Sequence, residues 1–162
     1  MSERGRPPSA PARRSSAYDD AVRYLGPRPR STLEIRRHLM KRRHDEKEIE
    51  LALARLREQG YVDDRAFARY WLEQRASFRP KGDVALRSEL AAKGIDAAIV
   101  EEVLAGDESP GESAAARSAL APRLPRWREL DVRERKARAQ AFLRRRGFSF
   151  DTIEEVLAGL EE

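Results

Sequence analysis

The chain has 162 residues, 38% charged and 40% hydrophobic, so a single large globular core is hard to assemble from it and an array of small units suits it better. The absence of cysteine excludes disulfides, thiol chemistry and cysteine-ligated zinc, and no apolar run approaches the ~20 residues needed to span a bilayer. A formal net charge of +5 favours an acidic partner, and without an apolar N-terminal segment or a membrane span the expected location is the cytoplasm.

Residues 1–16 mix Pro, Ser, Gly and Arg with almost nothing large and apolar, and are expected to form a basic disordered tail. Three later segments can be laid over one another: HLMKRRHDEKEIELAL from His38, ELAAKGIDAAIVEEVL from Glu89 and FLRRRGFSFDTIEEVL from Phe142. With His44, Ile95 and Phe148 taken as equivalent, leucines stand five residues earlier at Leu39, Leu90 and Leu143. Asp45, Asp96 and Ser149 follow as N-caps, and Ile49, Val100 and Ile153 then sit at the position that closes a hydrophobic staple. His44 makes the weakest of the three staples. Gly94 and Gly147 precede the staple in two copies, where a helix end wants a left-handed residue, and Arg43 stands there in the first. Intervals of 51 and 53 residues leave room for three helices per unit.

The first helix of each unit is read at residues 18–25, 64–75 and 112–120, with Val22, Leu25, Phe67, Trp71 and Leu120 among its apolar residues. The second begins at Ser31, with a capping box to Glu34, in unit one, and starts near Asp83 in unit two, with core positions Ile35, Leu39, Leu86, Leu90, Ala139 and Leu143. The third helix is the acidic one after the staple. Asp63 and Asp64, which could suggest acid/base or metal chemistry, are read as punctuation after Gly60: a cap and a first-turn carboxylate. His38 and His44, without companion ligands, do not make a metal site. Phe67 and Trp71, four apart, read as core rather than base-stacking residues, whereas Trp127 between Pro125 and Arg128 is freer to meet a partner. Pro122 and Pro125 make the last unit the most irregular.

Three marks in order resemble the RecX family of bacterial RecA modulators: LGPRPRS from Leu25; GYVDD from Gly60 followed by Phe67 and Ala68; and RPKG from Arg79 running into LRSELAAKGI from Leu86. Together they span residues 25–95, and the third unit matches mainly by helix pattern. Pro27 and Pro29 stiffen the entrance loop, and Arg43-His44 replaces a more familiar Lys-Gly or Lys-Phe pair, so the first connector is expected to bend differently. The resemblance implies an all-α protein, an elongated curved array of three tandem three-helix repeats, lying in the groove of a RecA filament on DNA. It further implies a monomeric, non-enzymatic modulator that limits filament extension, ATP hydrolysis, strand exchange and co-protease activity, with no cofactor. The repeats are placed at 17–62, 63–108 and 109–162, the last with a short linker at its start.

Helix, turn, helix also describes a DNA-reading module, but the third helices carry Glu46, Glu48, Glu50, Glu101, Glu102, Glu154 and Glu155, which suits a groove reader poorly. The cations lie instead on the second helices and their entrances. Arg28, Arg30, Arg36, Arg37, Arg75, Arg79, Lys81, Arg87 and Lys93 are read as a basic stripe facing RecA, single-stranded DNA or filament-bound DNA. The competing reading makes these side chains solvated, or paired at i,i+4 on their own helices.

Overall fold

A computed structural model describes residues 13–106 and 110–160. Every regular element among them is helical. Repeat 1 comprises α1 (Ala17–Leu25), α2 (Thr32–Lys41) and α3 (Glu46–Glu58); repeat 2 comprises α4 (Asp64–Phe78), α5 (Asp83–Ala92) and α6 (Ala97–Leu104). Repeat 3 comprises α7 (Glu112–Leu120), α8 (Val132–Arg145) and α9 (Phe150–Ala158), with a short 3-10 turn at Leu124–Trp127 where the prolines stand.

Side-chain caps set the second and third helices except α5, whose N-cap is Gly82. Ser31 and Asp45 each form a complete capping box, with Glu34 and Glu48 returning to the cap N–H. Asp96 and Ser149 accept from the first-turn amides of α6 and α9. His44, Ile95 and Phe148 are all buried at the staple position, opposite buried Ile49, Val100 and Ile153. Arg43 adopts φ 61°, close to the 75° of Gly94 and 77° of Gly147, so the first connector bends like the other two. A left-handed arginine is strained by roughly 1–2 kcal/mol. The His44 N–H to Leu39 carbonyl bond, matched by Ile95 to Leu90 and Phe148 to Leu143, holds it there.

Three separate cores result, one per repeat. Ile35, Leu39, Ile49 and Leu53 are fully buried in the first, Phe67, Leu90 and Val100 are buried in the second, and Leu120, Phe142, Leu143 and Ile153 in the third. All the extensive helix-to-helix packing lies within a repeat. Repeats therefore meet only at their ends, as in a tandem array.

Some expectations need correction. Val22 is 43% exposed, and the small residues Ala17 and Ala21 face the core instead, because α1 crosses its partners closely. Residues 1–12 of the expected tail lie outside the described residues, but 14–16 are engaged with repeat 1. Arg14 donates to the Arg42 carbonyl at 3.1 Å and to the Arg43 carbonyl, satisfying acceptors past the end of α2, and Ser16 caps α1. Trp127 packs against the third core rather than standing free.

A basic face across the repeat junctions

The second helices meet end to end. At the 2/3 junction the N–H of Gly82 donates to the Arg146 carbonyl at 2.9 Å, and that of Val84 to the Gly147 carbonyl at 3.1 Å. The acceptors lie just past the end of α8 and the donors at the start of α5, so the two helix dipoles run head to tail. At the 1/2 junction Gly94, just past α5, sits so close to α2 that an added β-carbon would stand 2.6 Å from Cβ of Leu33. The first residue of the following repeat's first helix completes each junction. Asp64 accepts from the Thr32 N–H at 2.8 Å, and Glu112 from the Asp83 N–H at 2.9 Å. Asp63 caps α4 as expected, accepting from the N–H groups of Arg65 and Ala66.

Around the 1/2 junction four of the sequence-singled cations gather on two carboxylates. Lys93 lies 2.8 Å and Arg28 3.2 Å from Glu34, the capping-box glutamate of α2. Burial raises the Glu34 carboxyl, but Lys93, the Ser31 N–H and Arg28 outweigh it and hold its pKa below the ordinary value. Glu89 on α5 takes Arg75 at 2.9 Å, the Trp71 indole N–H at 2.8 Å, and Lys81. There too burial raises the carboxyl, while Lys81, Trp71 and Arg75 together lower it further. The guanidinium of Arg75 and the ammonium of Lys93 lie 5.0 and 5.2 Å from the centroid of the Trp71 ring. Trp71 is half-buried at the centre of this network, and Phe67 beneath it fills the core.

The other sequence-singled residues behave differently. Arg36 pairs with Glu46 and Glu50, and Arg87 with Glu101 at 2.7 Å. Arg36–Glu50 and Arg87–Glu101 occupy equivalent places, tying the second helix to the third. In repeat 3 the arginine's place is taken by Gln140. The pairing is thus across helices, not at i,i+4 along one helix. Arg30 lies 4.0 Å from the Tyr24 ring centroid and donates to the Tyr24 carbonyl at 3.2 Å. Arg37 and Arg79 are exposed, and their guanidiniums meet no carboxylate among the described residues.

The strongest buried polar contact was not legible in sequence. His44 Nε2 lies 2.7 Å from Asp20, both side chains being under 5% exposed, and Arg42 adds contacts at 3.3 Å. His44, followed by Ser15 and Arg42, holds the Asp20 carboxyl far below the ordinary aspartate range against the opposing effect of burial. The only hint was a histidine at a staple position with an aspartate in the preceding helix.

Comparison with known proteins gives this architecture a family. Three sequence models match in tandem: the RecX first three-helix domain over residues 17–56, the second over 63–104 and the third over 112–157. The chain belongs to the RecX family. It is 38% identical over 141 residues to the regulatory protein RecX of Chlorobium phaeobacteroides, covering 87% of this chain and 91% of that one. To the regulatory protein RecX of Streptomyces coelicolor it is 33% identical over 147 residues, covering 91% and 77%. The crystal structure of RecX from Lactobacillus salivarius superposes with a TM-score of 0.78 over 90% of this chain and 94% of the other, at 22% identity, a likeness of fold. This RecX-family chain is therefore a member of a family of regulatory proteins built from three three-helix domains, and none of its described helices is long and apolar enough to cross a membrane.

Proposed function

We propose that this chain is a non-enzymatic, cytoplasmic regulator that binds as a monomer in the helical groove of a RecA nucleoprotein filament. There it restrains filament extension, ATP hydrolysis, strand exchange and co-protease activity, and so tempers DNA repair and the SOS response. The observation that carries this reading is the tandem array itself. A line of second helices joined end to end, with two cations on each of Glu34 (Arg28, Lys93) and Glu89 (Arg75, Lys81) leaving both clusters net positive, and with Arg37 and Arg79 exposed, offers an extended cationic face to an acidic, repeating partner. A helix-turn-helix reader is disfavoured because the third helices carry glutamates already bound to cations of their own repeat, Glu50 to Arg36 and Glu101 to Arg87.

The test is single-stranded-DNA-dependent ATP hydrolysis by the cognate recombinase while this chain is titrated in. Inhibition at micromolar concentration is expected. Unchanged hydrolysis at low salt refutes the reading. To probe the face, Arg37→Glu with Lys41→Glu is the better variant, because both residues are exposed and meet no carboxylate among the described residues. Reversing Lys81, Arg87 and Lys93 would set new carboxylates against Glu89, Glu101 and Glu34 and disturb the fold itself.

A further inference from the structure

At the 2/3 junction three arginines converge with no acidic partner among the described residues. Arg123, in the turn after α7, and Arg146, at the end of α8, place their guanidinium carbons 4.8 and 5.0 Å from the centroid of one Phe142 ring. Arg146 also donates to the Pro80 carbonyl at 3.3 Å, which brings it beside Arg79. Burial and then the charges of Arg79 and Arg123 lower the Arg146 pKa, as expected for cations crowded together. None of the three guanidiniums meets a carboxylate among the described residues, whereas most cations of the 1/2 junction do. Next to Arg79, at the end of α4, Phe78 is 81% exposed, the most exposed large apolar side chain described. It belongs to none of the three cores, so its exposure gains nothing for this fold.

Uncompensated arginines beside an open aromatic ring match the chemistry of a single nucleic-acid strand, which carries phosphates and an unstacked base. We infer that Arg79, Arg123 and Arg146 form a phosphodiester-binding site and that Phe78 stacks an adjacent base, making the 2/3 junction a single-strand contact of this chain's own. The site does not depend on recombinase docking. The 1/2 junction lacks it, because its cations are spent on Glu34 and Glu89.

The experiment is fluorescence anisotropy with a labelled oligo-dT strand and no recombinase, across a salt series. Arg79→Gln with Arg123→Gln is expected to reduce the slope of log K against log salt by about 1.4, at ~0.7 for each phosphate contact on a single strand. Arg146 is left in place because it also holds Pro80. Phe78→Ala is expected to weaken binding by about 5- to 150-fold with the salt slope unchanged, and to have no effect on an abasic strand. Arg57→Gln, exposed on α3 of repeat 1 and outside the basic face, serves as the control. A wild-type slope in the double variant overturns the site, as does an equal loss in the control. If the variants bind the strand normally yet lose their effect on recombinase ATP hydrolysis, the cluster serves an acidic protein surface instead and the inference fails.

Discussion

Gly82 offers the sharpest test of how the repeats are joined. Its backbone is ordinary, at φ −78°, so alanine is allowed there conformationally. Space is the obstacle: a β-carbon at Gly82 would collide with the Cα and N of Phe148 and the carbonyl of Gly147, all backbone atoms of the next repeat that cannot rotate away. Relief requires moving repeat 3 off repeat 2, with loss of the Gly82 to Arg146 and Val84 to Gly147 hydrogen bonds. Overpacking costs roughly 1–3 kcal/mol and each bond about 1 kcal/mol, giving about 3–5 kcal/mol for Gly82→Ala. Gly60 is the counterpart. It has φ 74° and nothing within 4 Å of an added β-carbon, so Gly60→Ala pays left-handed strain of roughly 1–2 kcal/mol, partly offset by a less free unfolded chain. Urea unfolding followed by circular dichroism, with hydrogen exchange by repeat, compares the two. Gly82→Ala should lose far more stability and should let repeat 3 open separately from repeats 1 and 2. An equal or smaller loss than Gly60→Ala, with one undivided transition, would refute the junction as described.

Leu39, Leu90 and Leu143 occupy equivalent positions at 0% exposure, so each leucine-to-alanine change should cost about 2–5 kcal/mol, and hydrogen exchange should show the loss concentrated in the mutated repeat. Asp64→Ala should cost about 1 kcal/mol by orphaning the Thr32 N–H, and Asp64→Asn, which keeps an acceptor, should restore most of it in urea titrations. The carboxyls of Asp20, Glu34, Glu89 and Glu112 are all lowered by folding, so the stability they provide is present above their unfolded pKa values and is lost as pH falls through the folded ones. Asp83, raised by burial and then by Glu112, acts in the opposite sense. Urea midpoints should therefore decline from about pH 5 downward; a midpoint flat to pH 3 would contradict these contacts.

Local signals carried most of the architecture. Caps, staples and leucine spacing depend on residues within one or two turns of each other, and Ser31, Asp45, Asp63, Asp96 and Ser149 all cap as their neighbours suggest. What local signals could not carry was pairing at a distance. Lys93 and Glu34 are 59 residues apart, and Arg146 reaches Pro80 across 66. The loop arginines Arg28 and Arg30, read as part of the basic stripe, have no acid beside them in sequence, yet Glu34 lies one turn into the next helix and Tyr24 one turn back. Arg43 was misjudged for the same reason. Its own preference opposes a left-handed turn, but the Leu39 carbonyl and the burial of His44 against Asp20 impose it.

These long-range pairs change what a count of charges means. Arg36, Arg75, Lys81, Arg87 and Lys93 are bound to carboxylates, so much of the basicity on and before the second helices holds helices and repeats in register. An incoming acidic surface must compete with Glu34, Glu89 or Glu101 for those cations and gains only the difference. Cations without such partners among the described residues, Arg37 and Arg79, and those resting on an aromatic ring, Arg123 and Arg146, can meet an anion without first breaking any of these salt bridges. Recognition by this array should therefore depend on a few uncommitted arginines near its ends and junctions, with the larger paired population fixing the spacing at which they are presented.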